Sequence, residues 1–139
     1  MKPKKEILKT WIKYAYIDLD VSKRLLNSPK PNQWTYVLVI WHCHQAIEKM
    51  FKMTAIKNNK ELLKIHDLIR LYKQAGIKDF PEKYINFLYD LNEYYISPRY
   101  PDLSYKKPYP KSDRKKAENY LKLTNNIYQW LEKYAFPKK

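Results

Sequence analysis

Cysteine occurs once in this chain, at Cys43, which excludes an internal disulfide and leaves too few thiols for a cysteine-based zinc site. A reducing cytoplasm is the expected setting. No apolar run approaches the ~20 residues that a membrane-crossing helix needs. At the amino end, Lys2, Lys4 and Lys5 are followed by Lys9, Lys13 and Asp18, which leave no apolar centre for a signal peptide. A soluble protein with no membrane partner is expected. Acidic residues are scarce: 14 Asp and Glu stand against 28 Lys and Arg, a formal net charge of +14. Such an excess favours polyanionic partners such as nucleic acid, nucleotides or an acidic protein. The alternative is a lysine-coated, solvated surface of the kind heat-adapted proteins use for stability. Glycine also occurs once, at Gly76, and no strand pattern competes with the helical periodicity.

What is present is five helical segments in one domain. A chain of 139 residues with 45% hydrophobic content is long enough for a real core, because chains of this size bury roughly 68% of their unfolded surface. From Lys4 to Asn27, Leu8, Trp11, Ala15, Leu19, Ser22 and Leu26 recur at three- and four-residue steps, one face of a long helix. Asn27-Ser28-Pro29 and Pro31 stop it. Asn32 caps a second helix that runs to about Lys57 with Val37, Ile40, His44, Ile47 and Phe51 along one stripe. His66 to Ala75 reads as a short third helix with Leu68, Ile69 and Tyr72 inward, closed by Gly76, which takes a left-handed cap cheaply. Pro81 suits the first turn of a fourth helix, in which Tyr84, Leu88, Leu91 and Tyr95 keep helical spacing up to a stop at Pro98. Ser112 and Asp113 cap a fifth, with Ala117, Tyr120, Thr124, Ile127, Leu131 and Tyr134 inward. The predicted fold is an all-α, up-and-down bundle of four to five helices with two long antiparallel helices as its spine.

Ser97-Pro98-Arg99-Tyr100-Pro101-Asp102 is the most distinctive segment. Proline fixes its own φ and disfavours helical backbone before it, so Ser97 and Tyr100 are expected to be extended and Arg99 to be held in few orientations. A preorganised arginine suits phosphate. Arg99, Tyr100, Asp102, Tyr105, Lys106, Lys107 and Tyr109 are therefore candidate nucleotide-binding residues, with Lys111, Arg114, Lys115 and Lys116 adding charge at the start of the fifth helix. Tyr100, Tyr105 and Tyr109 alternate with these basic residues and have rings on which a nucleobase can stack. The competing reading is a loop stapled by Arg99 and Asp102 with its lysines solvated. Asp18 falls in the inward stripe of the first helix and needs partners, for which Gln45, Glu48 and Lys49 are the candidates in a structural polar network. His42 and His44, two positions apart, face different sides of a helix, which argues against shared metal ligation. His66 is expected to orient the turn at Asp67.

Four stretches, Ala15-Tyr16-Ile17-Asp18-Leu19, Trp41-His42-Cys43-His44-Gln45-Ala46-Ile47-Glu48-Lys49, Ile65-His66-Asp67-Leu68 and Arg99-Tyr100-Pro101-Asp102, together resemble the HEPN family, a nucleotide-binding domain of higher eukaryotes and prokaryotes. The resemblance covers nearly the whole chain. It implies a four- or five-helix bundle without a cofactor, usually a homodimer, often encoded beside a small nucleotidyltransferase with which it forms a toxin–antitoxin or related pair. Many members are metal-independent ribonucleases in which an arginine after the penultimate helix is followed a few residues later by a histidine. Arg99 matches the arginine. No histidine follows, since Leu103, Ser104, Tyr105, Lys106 and Lys107 occupy those places. Metal-free RNA cleavage needs a base for the 2′-hydroxyl proton, and Tyr105 with an ordinary pKa of ~10 is a poor one. The expected function is thus a nucleotide- or RNA-binding module acting with a nucleotidyltransferase. The alternatives are a ribonuclease toxin using Arg99, and a non-catalytic partner of an acidic protein.

Overall fold

A computed structural model describes residues 2–99 and 111–138, with backbone alone for 96–99. Among the described residues there are five helices, α1 (Lys4–Leu26), α2 (Gln33–Lys57), α3 (Leu68–Ala75), α4 (Glu82–Arg99) and α5 (Arg114–Ala135), and no strand. Their ends follow local chemistry. The Asn32 side chain accepts from the Trp34 and Thr35 amides while the Thr35 hydroxyl accepts from the Asn32 amide, a reciprocal cap that fixes the start of α2. The Asp67 side chain accepts from the Ile69 and Arg70 amides; because Asp67 is the cap, α3 opens at Leu68 and not at His66. Gly76 closes α3 at φ 66°, backbone that a side chain would strain.

α4 departs from expectation at its far end. The helix does not stop before Pro98 but continues through it to Arg99, so Ser97 is helical and not extended. Proline's preference against a helical predecessor is a bias of a few kcal/mol at most. In a last turn the ring forfeits one backbone hydrogen bond and crowds the carbonyl four residues back, with no further turn beyond it to disturb, and the helix carries Arg99 on its own terminus.

α1 and α2 form the antiparallel spine. The Ser22 hydroxyl donates to the Val39 carbonyl at 2.9 Å, beside the fully buried Ala15, Cys43 and Ala46, and these small side chains let the two backbones approach closely. At the other end the Lys4 ammonium donates to the Lys57 carbonyl at 3.0 Å. α5 packs across α2 and against α1, while α3 and α4 cover the remaining side of α2. Arg114 ties the start of α5 to the carboxyl end of α1, donating to the Leu26 carbonyl at 3.2 Å. The predicted stripe of α2 is all interior, with Ile40, His44, Ile47 and Phe51 fully buried. On α1, Trp11 is only partly buried and Ile12 takes the inward place. Burial pushes the Cys43 thiol up to about 11, so it is an inert core residue.

Candidate functional site

The polar residues of α2 fall on two faces. His42 and Lys49 lie seven positions apart, two helical turns, and so share a side. Both reach Asp18: His42 Nδ1 lies 3.0 Å from one carboxylate oxygen, and the Lys49 ammonium pairs with the other. Glu48 is turned about 100° from Lys49 and does not meet Asp18. Gln45 does not meet it either, and its Oε1 is buried without a hydrogen-bond partner. Of the four residues assigned to one network, the structure joins Asp18 and Lys49, adds His42, and places Glu48 in a separate cluster.

That second cluster is the more chemically equipped. Glu48 is 8% exposed; its Oε1 lies 2.9 Å from His66 Nδ1 and its Oε2 accepts from the Lys52 ammonium at 3.0 Å. The His66 ring stacks on Tyr95 with centroids 4.4 Å apart, and His44 stacks on Tyr95 at 5.1 Å. The side chain of Asn92 fastens the assembly, accepting from the Leu68 amide at 3.0 Å and donating to Asp67 at 3.1 Å, with its oxygen 3.4 Å from His44 Nε2. Paired this way, His44 carries its proton on Nε2 and presents a bare Nδ1 to Glu48 at 3.9 Å.

Burial lowers the His44 pKa and outweighs the neighbouring Glu48 charge, which favours the imidazolium. Above about pH 6.5 the ring is neutral in both folded and unfolded chains. Below it, the unfolded chain takes up a proton that the native state resists, so stability is lost as pH falls from about 6.5 through the lowered native value. Urea midpoints measured between pH 7.5 and 5 are expected to fall for the wild type and to fall less for His44→Gln; equal slopes would contradict a neutral buried His44.

Tyr95 connects this cluster to Arg99. The two are four residues apart on α4, so the Arg99 backbone lies about 6 Å further along the helix axis. The chain re-enters the described part at Lys111, whose carbonyl accepts from the Tyr94 hydroxyl at 3.2 Å. Tyr100, Asp102, Tyr105, Lys106, Lys107 and Tyr109 lie outside the described residues. The start of α5 already has an anion of its own, since the Asp113 carboxylate accepts from the Lys116 amide at 2.8 Å. Arg114 is committed to Leu26 and stands over the Tyr36 ring at 5.6 Å, and the Lys116 ammonium lies over Tyr94 at 5.3 Å. These cations brace the helix ends. Among the described residues no cluster of three metal-ligating side chains occurs, and no helix is long and apolar enough to cross a membrane.

Residues 8–134 match the family model described as HEPN domain. The crystal structure of TT1696 from Thermus thermophilus superposes with a TM-score of 0.73 at 23% identity, covering 91% of this chain and 96% of that one. ST0689, described as an archaeal HEPN homologue, gives a TM-score of 0.70 at 22% identity, covering 97% of this chain and 99% of its own. At such identities the likeness is one of fold. No curated protein matches.

Proposed function

The chain belongs to the HEPN domain family, and from that premise we propose that it is a nucleotide- or RNA-binding module working with a nucleotidyltransferase in a toxin–antitoxin-like pair. Binding centres where α4 ends at Arg99. The observation that carries this reading is the continuation of α4 to Arg99, one turn beyond a tyrosine stacked against two histidines. A helix terminus holds an arginine backbone more firmly than a loop does, and a guanidinium so placed recognises phosphate. The chain's net charge of +14 adds long-range attraction for polyanions. The module works as a homodimer, for which α2 offers Trp34 and Leu38, one turn apart and 49% and 42% exposed.

Fluorescence anisotropy with an end-labelled single-stranded RNA tests the assignment. Arg99→Ala is expected to weaken binding about tenfold or more, the loss of one or two charge-assisted hydrogen bonds, while Lys133→Ala on the far end of α5 leaves affinity within about twofold. Equal losses in the two variants would mean that diffuse charge, and not this site, holds the RNA.

A further inference from the structure

The start of α1, the end of α2 and the end of α5 meet at one pole of the bundle, where lysines surround an apolar floor. Leu8, Ala135 and Phe136 form the floor of an open cavity of about 370 Å³, and its other lining residues are Lys4, Lys5 and Lys57. Phe136 also lines a second hollow of about 430 Å³, together with Gln129, Glu132, Lys133 and Lys138, so the two hollows flank one ring. We propose that this pole docks an acidic segment of a partner protein, which seats an apolar side chain on the floor and sets its carboxylates against Lys4, Lys5 and Lys57. The surface is separate from the site at Arg99 and needs no part of it.

The charge at this pole is not answered within the chain. The lysine and arginine ion pairs of the described residues join Arg24 to Asp20, Lys49 to Asp18, Lys52 to Glu48 and Arg114 to Glu118, and include none of the three cavity lysines. The Lys4 ammonium donates instead to two neutral oxygens, the Lys57 carbonyl and the Asn59 side chain. Its charge stays uncompensated, and a third N–H remains for an incoming acceptor. Beneath the lysines, Leu8 and Ala135 are each 3% exposed, while Phe136 packs against the core only in part. Covering the rest of that ring is the gain an apolar residue of the partner makes.

An apolar floor ringed by point charges discriminates among polyanions. A nucleic acid strand binds through its phosphates and stacked bases and gains little from Leu8 and Ala135. An acidic peptide uses both parts, because ammonium groups on flexible stems pair with carboxylates without a fixed bidentate geometry, and the apolar residue between them is desolvated on the floor. Two hollows on either side of Phe136 suit side chains in series along an extended segment. Glu132 in the second hollow repels a carboxylate there, so the acidic part of the segment lies on the α1 side and a neutral or basic residue follows over α5.

The probe is a fluorescein-labelled peptide with a central phenylalanine between glutamates, titrated with the full-length protein and read by anisotropy. A second peptide has serine at its centre. Two double variants matched in charge are compared, Lys5→Glu with Lys57→Glu at the cavity and Lys13→Glu with Lys23→Glu at exposed places elsewhere on α1, with folding checked by circular dichroism. The cavity variant is expected to bind the phenylalanine peptide at least about tenfold more weakly than wild type, and the control pair within about threefold of it. Wild type is expected to bind the serine peptide at least about fivefold more weakly than the phenylalanine one, and the phenylalanine peptide to shift the amides of Lys4, Lys5, Lys57 and Phe136 most. Equal losses in the two double variants, equal affinity for the two peptides, or no binding at millimolar peptide overturns the proposal and leaves the reading of Arg99 untouched. Shifts of the same amides by single-stranded RNA would assign these lysines to nucleic acid and overturn it as well.

Discussion

Glu48→Ala is expected to lower the stability of the bundle by on the order of 3–5 kcal/mol, the usual loss when one partner of a buried ion pair is removed. The Lys52 side chain is 12% exposed and pairs with Glu48 at 3.0 Å, so without the carboxylate an ammonium remains in a mostly dry place. His66 loses its acceptor and the α2–α3 connection its tether to α2 at the same moment. For a chain of this length the change corresponds to a fall in Tm of roughly 10 °C or more. Glu48→Ala combined with Lys52→Met should recover much of it, because an apolar side chain of similar volume replaces the orphaned charge. A thermal melt within a degree or two of wild type for the single variant would show that water already reaches the pair.

Phe51→Ala is expected to be as severe, at about 3–5 kcal/mol, through loss of burial and the cavity left behind. Phe51 is fully buried on α2 and meets Tyr72 of α3 and Phe80 before α4, with centroids 6.0 and 5.9 Å apart. Phe80 in turn meets Trp130 of α5 at 5.3 Å edge-on. The Phe51 ring thus bridges α2 to α3 and to the residue before α4, and through Phe80 the aromatic cluster reaches α5. Phe51→Leu, which keeps most of the volume, should lose far less. Urea denaturation checks both; a loss below about 1 kcal/mol for the alanine variant would mean the aromatic cluster repacks freely.

The helices are legible in the sequence because their signals are local. Asn32, Asp67, Gly76 and Asp113 act within four residues of themselves, and the stripe of α2 from Val37 to Phe51 repeats over about four turns. Pro98 misleads because its rule concerns the backbone before it, while the outcome depends on whether a final turn has packing enough to persist. Tyr95 reads as a core position, which it is at 8% exposure, but its two histidine neighbours come from α2 and from the segment before α3. The pair of Glu48 and His66 spans 18 residues across a connection without periodicity, so nothing in the sequence brings them together. Asn92 escapes notice because, with Asp90 and Glu93 on either side of Leu91 and Asn92, it reads as part of the polar side of α4. The split of the α2 polar residues into a face with His42 and Lys49 and a face with His44, Glu48 and Lys52 is available from helical phase alone. Grouping Glu48 with Asp18 overlooks that phase.

An NMR titration of ¹⁵N-labelled protein with a short single-stranded RNA locates the binding site directly. Amide shifts are expected to concentrate at the end of α4, around His66 to Leu68, and at Lys111 where the chain returns beside Tyr94. Shifts spread over the lysines at the opposite end, around Lys4, Lys57 and Lys133, or scattered evenly over the basic surface, would contradict a site at Arg99 and leave only nonspecific attraction between a basic protein and a polyanion.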